Sequence, residues 1–200
     1  MGTDIEGLIE VRKADGRWET RDWLPDCALV RDRYARECLF GYGGGLGLEH
    51  GRALFDQRGK PDDASDDVPD DEVNHSHSYA TWAEVAAVDW DGALADGPAW
   101  MHIGEWWPGP DGELVLDDVR WTPLEVLDAA EELFGEYLMP PEWPEGGEVH
   151  LNGAVYRPVV LTPRMFAPPD GDRWGPVWAT MGGLAAVHGD TNVRLVVWFG

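Results

Sequence analysis

The chain has 200 residues, 44% of them hydrophobic, which is enough for a substantial core, and its length favours one domain, 1–200, over two. Thirty-eight acidic against fifteen basic residues give a net charge of −23, which repels nucleic-acid phosphates and anionic membrane surfaces and so disfavours direct DNA or RNA binding. Two cysteines, Cys27 and Cys38, without CxxC spacing, build neither a disulfide framework nor a four-cysteine zinc site.

The opening MGTDIEGLIEVRK lacks the basic and apolar regions of a signal peptide, and no window approaches the roughly 18 apolar residues of a membrane span. A cytoplasmic location is therefore expected. From residue 4 the pattern alternates. Ile5, Gly7, Ile9 and Val11 take one face and Asp4, Glu6, Leu8, Glu10 and Arg12 the other, and Ala14-Asp15-Gly16 turns the chain into Arg17–Trp23, so residues 4–23 read as a β-hairpin. Residues 29–40, LVRDRYARECLF, have roughly helical spacing and read as a short helix that ends in the glycine-rich GYGGGLG.

Residues 56–78 read as an acidic surface loop, with seven acids between Asp62 and Glu72 and almost nothing apolar to bury. Thr81-Trp-Ala-Glu84 and Thr122-Pro-Leu-Glu125 match the capping box and predict helices over 81–90 and 122–138. The second carries Leu124, Leu127, Ala130, Leu133, Phe134 and Leu138 as its core stripe. Trp100–Trp107 and Leu114–Trp121 flank the turn sequence PGPDG as another hairpin, and Asn152-Gly153 marks a third between 148–151 and 154–161. A helix is expected near 176–187. VRLVVWF at 193–199 fits a central strand buried on both faces. Together these predict an α+β domain with a mixed or antiparallel sheet that includes both terminal strands, covered by three to four helices.

The main chemical candidate is His75-Ser-His77. In an extended segment the two imidazoles share a face, and with Asp4, Glu6, Asp70, Asp71 or Glu72 they form a ligand set suited to zinc, manganese or iron. The competing reading is a polar loop in which Ser76 and Ser78 make local turns. Glu84 has the residue type of a general base, but its capping position already accounts for it. Arg58, near Asp62 and Asp63, can present a guanidinium to an anionic ligand or sit solvated in a turn. The acidic run lacks EF-hand spacing, GYGGGLG is no phosphate loop, and no GxSxG elbow is present.

In chain order, TDIEGLIEVR with GRWE, RDRYARECLFG, QRGKPDDAS, HSHSYATWAEV and the final VRLVVWF resemble a group of uncharacterised proteins of bacteriophages, prophages and actinobacteria. Its pattern has an Asp-Ile-His opening, RGLPDDxS, HSHS before a helix start, and a terminal Phe-Asp-Asn. The resemblance implies a role for Asp4, Arg58, Asp62, Asp63, Ser65, His75, Ser76, His77 and Ser78. The chain departs from it at Glu6 in place of the opening histidine, at Lys60 in place of leucine, and at Phe199-Gly200. The resemblance brings no established activity and implies the company of mobile elements, where small proteins often bind and block other proteins.

Two functional expectations result. One is an acidic, tryptophan-rich interaction factor with an inhibitor, immunity or counter-defence role, steered electrostatically to a basic partner protein and anchored by some of its twelve tryptophans; simple solubility in an organism of acidic coding habit also explains the charge. The other is a metal-dependent hydrolase or small-ligand-binding protein that uses His75 and His77 with Asp4 or Glu6 and orients substrate through Arg58.

Overall fold

A computed structural model describes residues 5–25, 32–43, 46, 53–70 and 75–199, with His75 represented by its backbone alone. The expected ligands Asp4, Asp71 and Glu72, Cys27, the first residues of the predicted 29–40 helix and part of GYGGGLG lie outside the described residues. The fold is α+β, and among the described residues all strand pairs are antiparallel. The strands divide between two four-stranded sheets, where the sequence suggested one. Two compact units are distinguished within the chain, Met1–Gly92 with Phe166–Gly200, and Ala93–Met165.

In the first unit, β1 (Ile5–Arg12) and β2 (Trp18–Trp23) form the expected hairpin, and β1 pairs along its length with the C-terminal strand (Val193–Phe199). On the far side of that C-terminal strand runs β3 (His75–Thr81), so the sheet order places the two chain-terminal strands side by side at its centre. Three helices cover one face. They are α1 (Arg33–Phe40), α2 (Trp82–Ala86) and a C-terminal helix (Gly175–His188). Ile5, Ile9 and Val11 of β1 and Val193, Leu195, Val197 and Phe199 of the last strand meet Leu39, Phe40, Val85, Trp178 and Met181 there. The opposite face bears Leu8, Val196 and Trp198, and it is covered by residues 61–68 through Ala64 and Val68. The last strand is therefore buried at every position, as its apolar composition requires.

The acidic stretch thus has more to bury than its composition suggested. Val68 is 2% exposed and Pro61 is buried, while Asp62, Asp66 and Asp67 stay in solvent. Its final residues, 75–78, belong to β3. That strand was not legible in advance because Ser78 and Ala80 fill the core-facing positions with small side chains, so the usual alternation of large apolar residues is missing.

The second unit contains β4 (His102–Pro108), β5 (Leu114–Trp121), β6 (Val149–Leu151) and β7 (Ala154–Pro158), in the order β5-β4-β7-β6. In chain order the remaining elements are α3 (Leu124–Phe134), α4 (Gly175–His188) and β8 (Val193–Phe199). Asn152 and Gly153, at φ 54° and 88°, make the tight turn between β6 and β7. Helix α3 packs Val126 and Ala130 on Ile103, Val149 and Tyr156. It is shorter than its predicted 122–138. Thr122 does not cap it, because the threonine amide and hydroxyl both donate to the Met101 carbonyl, at 2.9 and 3.1 Å. The buried stripe shifts accordingly, leaving Leu124 and Leu133 64% and 60% exposed. Helix α2 likewise stops at Ala86, short of residue 90.

Gly7 of β1 lies against the backbone of β8. A Cβ there would stand 2.6 Å from the Val196 carbonyl oxygen and 2.9 Å from Leu24 Cδ1. Gly7→Ala is expected to destabilise the protein by about 2 kcal/mol through this overlap. The measurement is urea unfolding, with the midpoint falling and the slope unchanged.

Candidate functional site

Most of the polar residues singled out in the sequence converge where residues 56–70 cross the β1–β8–β3 face, and they form two arginine-centred clusters. The first begins with a charge inside an apolar strand. Arg194 of β8 is 4% exposed and lies opposite Glu10 of β1, which is fully buried, in register. Its Nε donates to Glu10 Oε2 at 2.7 Å, and its Nη1 donates to Asp63 Oδ1 at 2.8 Å. The other oxygen of Glu10 accepts the Ser65 amide at 2.7 Å, and the Ser65 hydroxyl shares a hydrogen bond of 2.9 Å with Thr20. Trp18 donates to Asp63 Oδ2 at 2.9 Å and lays its ring 3.9 Å from the Arg194 guanidinium carbon. Nη2 of Arg194 is buried without a hydrogen bond, and the Trp18 face supplies the attraction that this nitrogen lacks. Burial pushes the Asp63 carboxyl up, but the Arg194 hydrogen bond and charge outweigh it and hold the group below the ordinary aspartate range.

The second cluster fastens the start of the same segment. Arg58 grips Glu84 with both terminal nitrogens, at 3.0 and 2.5 Å, while Glu84 also takes the Thr81 amide and hydroxyl, each at 2.8 Å. The capping box read from the sequence is therefore present, with an arginine added to it. Arg58 above all, then the Thr81 bonds, overcome partial burial and bring the Glu84 carboxyl down to about 2. Such a group is ionised at neutral pH and unsuited to general-base work. The Ser78 hydroxyl donates to the Asp56 carbonyl at 2.7 Å, and the Arg58 amide donates to it in turn at 3.4 Å. Tyr79 lies between the clusters, with the Arg58 and Arg194 guanidiniums 5.1 and 5.6 Å from its ring centroid. Lys60 donates to the Val68 carbonyl at 3.0 Å and closes the segment on itself.

The histidine pair is placed differently. Ser76 has φ 55°, and β3 bulges there, with His75 paired to Phe199 and Ser78 to Val197. Ser76 and His77 together oppose Trp198, so the simple alternation that would put both imidazoles on one face is broken. His77 is buried, and its Nε2 lies 3.0 Å from the Pro69 carbonyl. A carbonyl only accepts, so Nε2 bears the proton, and metal ligation by this ring falls to Nδ1 while that bond stands. Glu6 accepts the Trp198 indole N–H at 2.9 Å. Among the described residues no group of three histidine, cysteine, aspartate or glutamate side chains is placed to hold a metal ion.

The structure thus brings Arg58, Asp63 and Ser65 together in one docked segment, bonds the start of that segment to Ser78 of β3 and puts Ser76 at the β3 bulge, while Asp62 is exposed and joins neither cluster. Glu10, Arg194, Trp18, Thr20 and Tyr79 were missed. One signal for two of them was available: an arginine within an otherwise apolar central strand demands a buried carboxylate. Chemically the assembly is a clamp, since Glu10, Asp63 and Glu84 are all committed to arginines. Beside it, a groove of about 510 Å³ is lined by Lys13, Arg17, Trp18, Asp63, Ser65 and Asp66 among others.

Arg194→Met should cost about 3–5 kcal/mol, because it leaves Glu10 buried without its counter-charge. Adding Glu10→Gln should recover most of that loss in chemical denaturation. The Glu84 carboxyl titrates at about 2 in the folded state against an ordinary 4.5, so its contribution is fully present above about pH 4.5 and is lost as pH falls towards 2. Glu84→Gln should therefore lower stability at neutral pH and flatten its dependence on pH across that interval, as followed by thermal unfolding.

No protein-family model, curated protein or solved structure matches this chain.

Proposed function

We propose that the protein is an interaction factor that binds a basic partner protein and acts by occupying its surface, in an inhibitor, immunity or counter-defence role of the kind found in phage-like and actinobacterial systems. The observation that carries this reading is helix α3. Asp128 stands three residues from Glu125 and Glu131 and four from Glu132, spacings at which like charges repel by about 0.2–0.5 kcal/mol per pair. Glu131 and Glu132 also lie at the helix end where the dipole favours cations, and the last turn has no basic residue. All four acids are exposed around Leu124. Between Trp121 and Tyr156 the chain has no lysine or arginine. Folding alone gives no reason for this arrangement, whereas a cationic partner relieves it.

Within residues 93–165, fourteen acids face three bases. Two of those bases are already engaged, Arg120 with Glu105 at 2.8 Å and Arg157 with Glu148 at 2.6 Å. Exposed Trp100 and Tyr137 in the same unit supply the aromatic residues that anchor interfaces after electrostatic encounter. No helix among the described residues is long and apolar enough to cross a membrane.

The test is capture of partners from actinobacterial lysate at low salt, followed by association kinetics with the purified partner. Glu125→Lys/Asp128→Lys/Glu132→Lys should slow association by about tenfold or more, and high salt should slow the parent protein similarly. No captured basic protein at low salt, or a partner indifferent to both salt and charge reversal, would overturn the reading.

A further inference from the structure

The second unit ends in an open strand. β5 is eight residues long and is the terminal strand of its sheet, with β4 as its only strand neighbour among the described residues. A terminal strand presents alternate amide and carbonyl groups to any chain that arrives in extended form. Proteins commonly protect such edges with lysine, proline or an inward charge. β5 is marked with acids instead. A bulge at its centre sets Asp118 opposite Glu105 and Leu116 opposite Trp106, leaving Asp117 as the extra residue. Both aspartates are exposed.

The side chains beside these acids are apolar and uncovered. Val115 pairs with Trp107 across the β4–β5 ladder, and the two are 56% and 41% exposed. Helix α3 does not cover this pair, since its core contacts are to Ile103, Tyr156 and Val149. Arg120, the one cation of β5, is held by Glu105. An open strand edge, an exposed apolar pair and two exposed carboxylates therefore coincide within a few residues.

We infer that β5 is a strand-addition site, and that its occupant is an extended segment of the basic partner in which lysine or arginine and an apolar residue stand two apart. Asp118 pairs with Glu105 and Val115 with Trp107, two residues apart on β4, so acid and apolar pair share one face of the sheet. Side chains two apart on an added strand fall on that one face, where a cation reaches Asp118 and an apolar residue lies along Val115 and Trp107. A second copy of β5 is disfavoured, because pairing the strand with itself sets aspartates against aspartates. The inference rests on the proposed binding of a basic protein and adds where and how the contact is made.

The test uses the whole protein with two probes, a short peptide of Lys-Thr-Val-Thr repeats, which sets lysine and valine on one face, and a peptide of equal charge interrupted by prolines. Affinity is measured by calorimetry and amide exchange by mass spectrometry. The Lys-Thr-Val-Thr peptide should bind at least about tenfold more tightly. It should also slow exchange across Leu114–Trp121, and both effects should be lost in Asp117→Lys/Asp118→Lys, whose fold is checked by circular dichroism. Equal binding of the two peptides would overturn strand addition and leave a purely electrostatic contact with basic partners. Binding of neither peptide, or protection elsewhere without slowing in β5, would also overturn it. Retention of the captured partner by Asp117→Lys/Asp118→Lys would separate failure of this site from failure of the wider reading.

Discussion

The arginine at position 194 sets the terms for one whole face of the first sheet. It sits in β8, the strand buried at every position, where an unpaired cation would not be tolerated. Glu10 answers it from the adjacent register position of β1, but two lone ions do not exhaust each other's hydrogen-bonding capacity. Glu10 has an oxygen left over, taken by the Ser65 amide, and Arg194 has Nη1, taken by Asp63. The buried pair thus recruits residues 63–65 as its third side. Val68 and Ala64, which lie on the same segment, then cover Leu8, Val196 and Trp198. A stretch that is highly acidic by composition becomes a structural cover because the strand beneath it contains a charge needing acids.

The same logic makes Glu84 a poor general base. A buried ion pair is costly to assemble and destabilising to break, so its members are held in one geometry. Glu84 illustrates this at the edge of the network. It serves Arg58 and the start of α2 together, and both roles require the anion. General-base use of a carboxylate needs one able to take up a proton near neutral pH, and Glu84, brought down to about 2, is not.

Backbone elements with strong local signals were legible in the sequence. The hairpin turns at Ala14-Asp15-Gly16 and Asn152-Gly153 and the apolar run of β8 all appear where the patterns place them. What was less legible depended on partners distant in sequence. Thr122 carries a cap signature, yet Met101 provides its hydroxyl with another acceptor, and a local pattern cannot reveal that competition. β3 has serine and alanine at its core positions and a positive φ at Ser76, so neither its propensity nor its periodicity announces a strand. Arg58, Asp63, Ser65 and Ser78 were visible as a polar set. Their purpose was not, because Asp63 and Ser65 serve Arg194 and Glu10, 184 residues apart, while Arg58 and Ser78 serve Glu84 and the Asp56 carbonyl.

The two units handle excess negative charge in different ways, and that difference bears on function. In the first, Glu10, Asp63, Glu84 and Asp32 are each matched with an arginine, so part of the acidity is absorbed by the fold. In residues 93–165 bases are scarce, and α3 repeats acids at the spacings that weaken a helix. Such local conflict is tolerated where something other than stability selects it. Solubility alone would be served as well by acids dispersed at non-repelling positions, or by acids near the helix N-terminus, where the dipole favours them. Acids grouped around exposed Leu124, with acids beside exposed Val115 and Trp107 as well, concentrate potential where apolar contact is also available. A cationic surface docking there would remove repulsion already present in the free protein. The strain in the acidic helix would then become part of the driving force for binding.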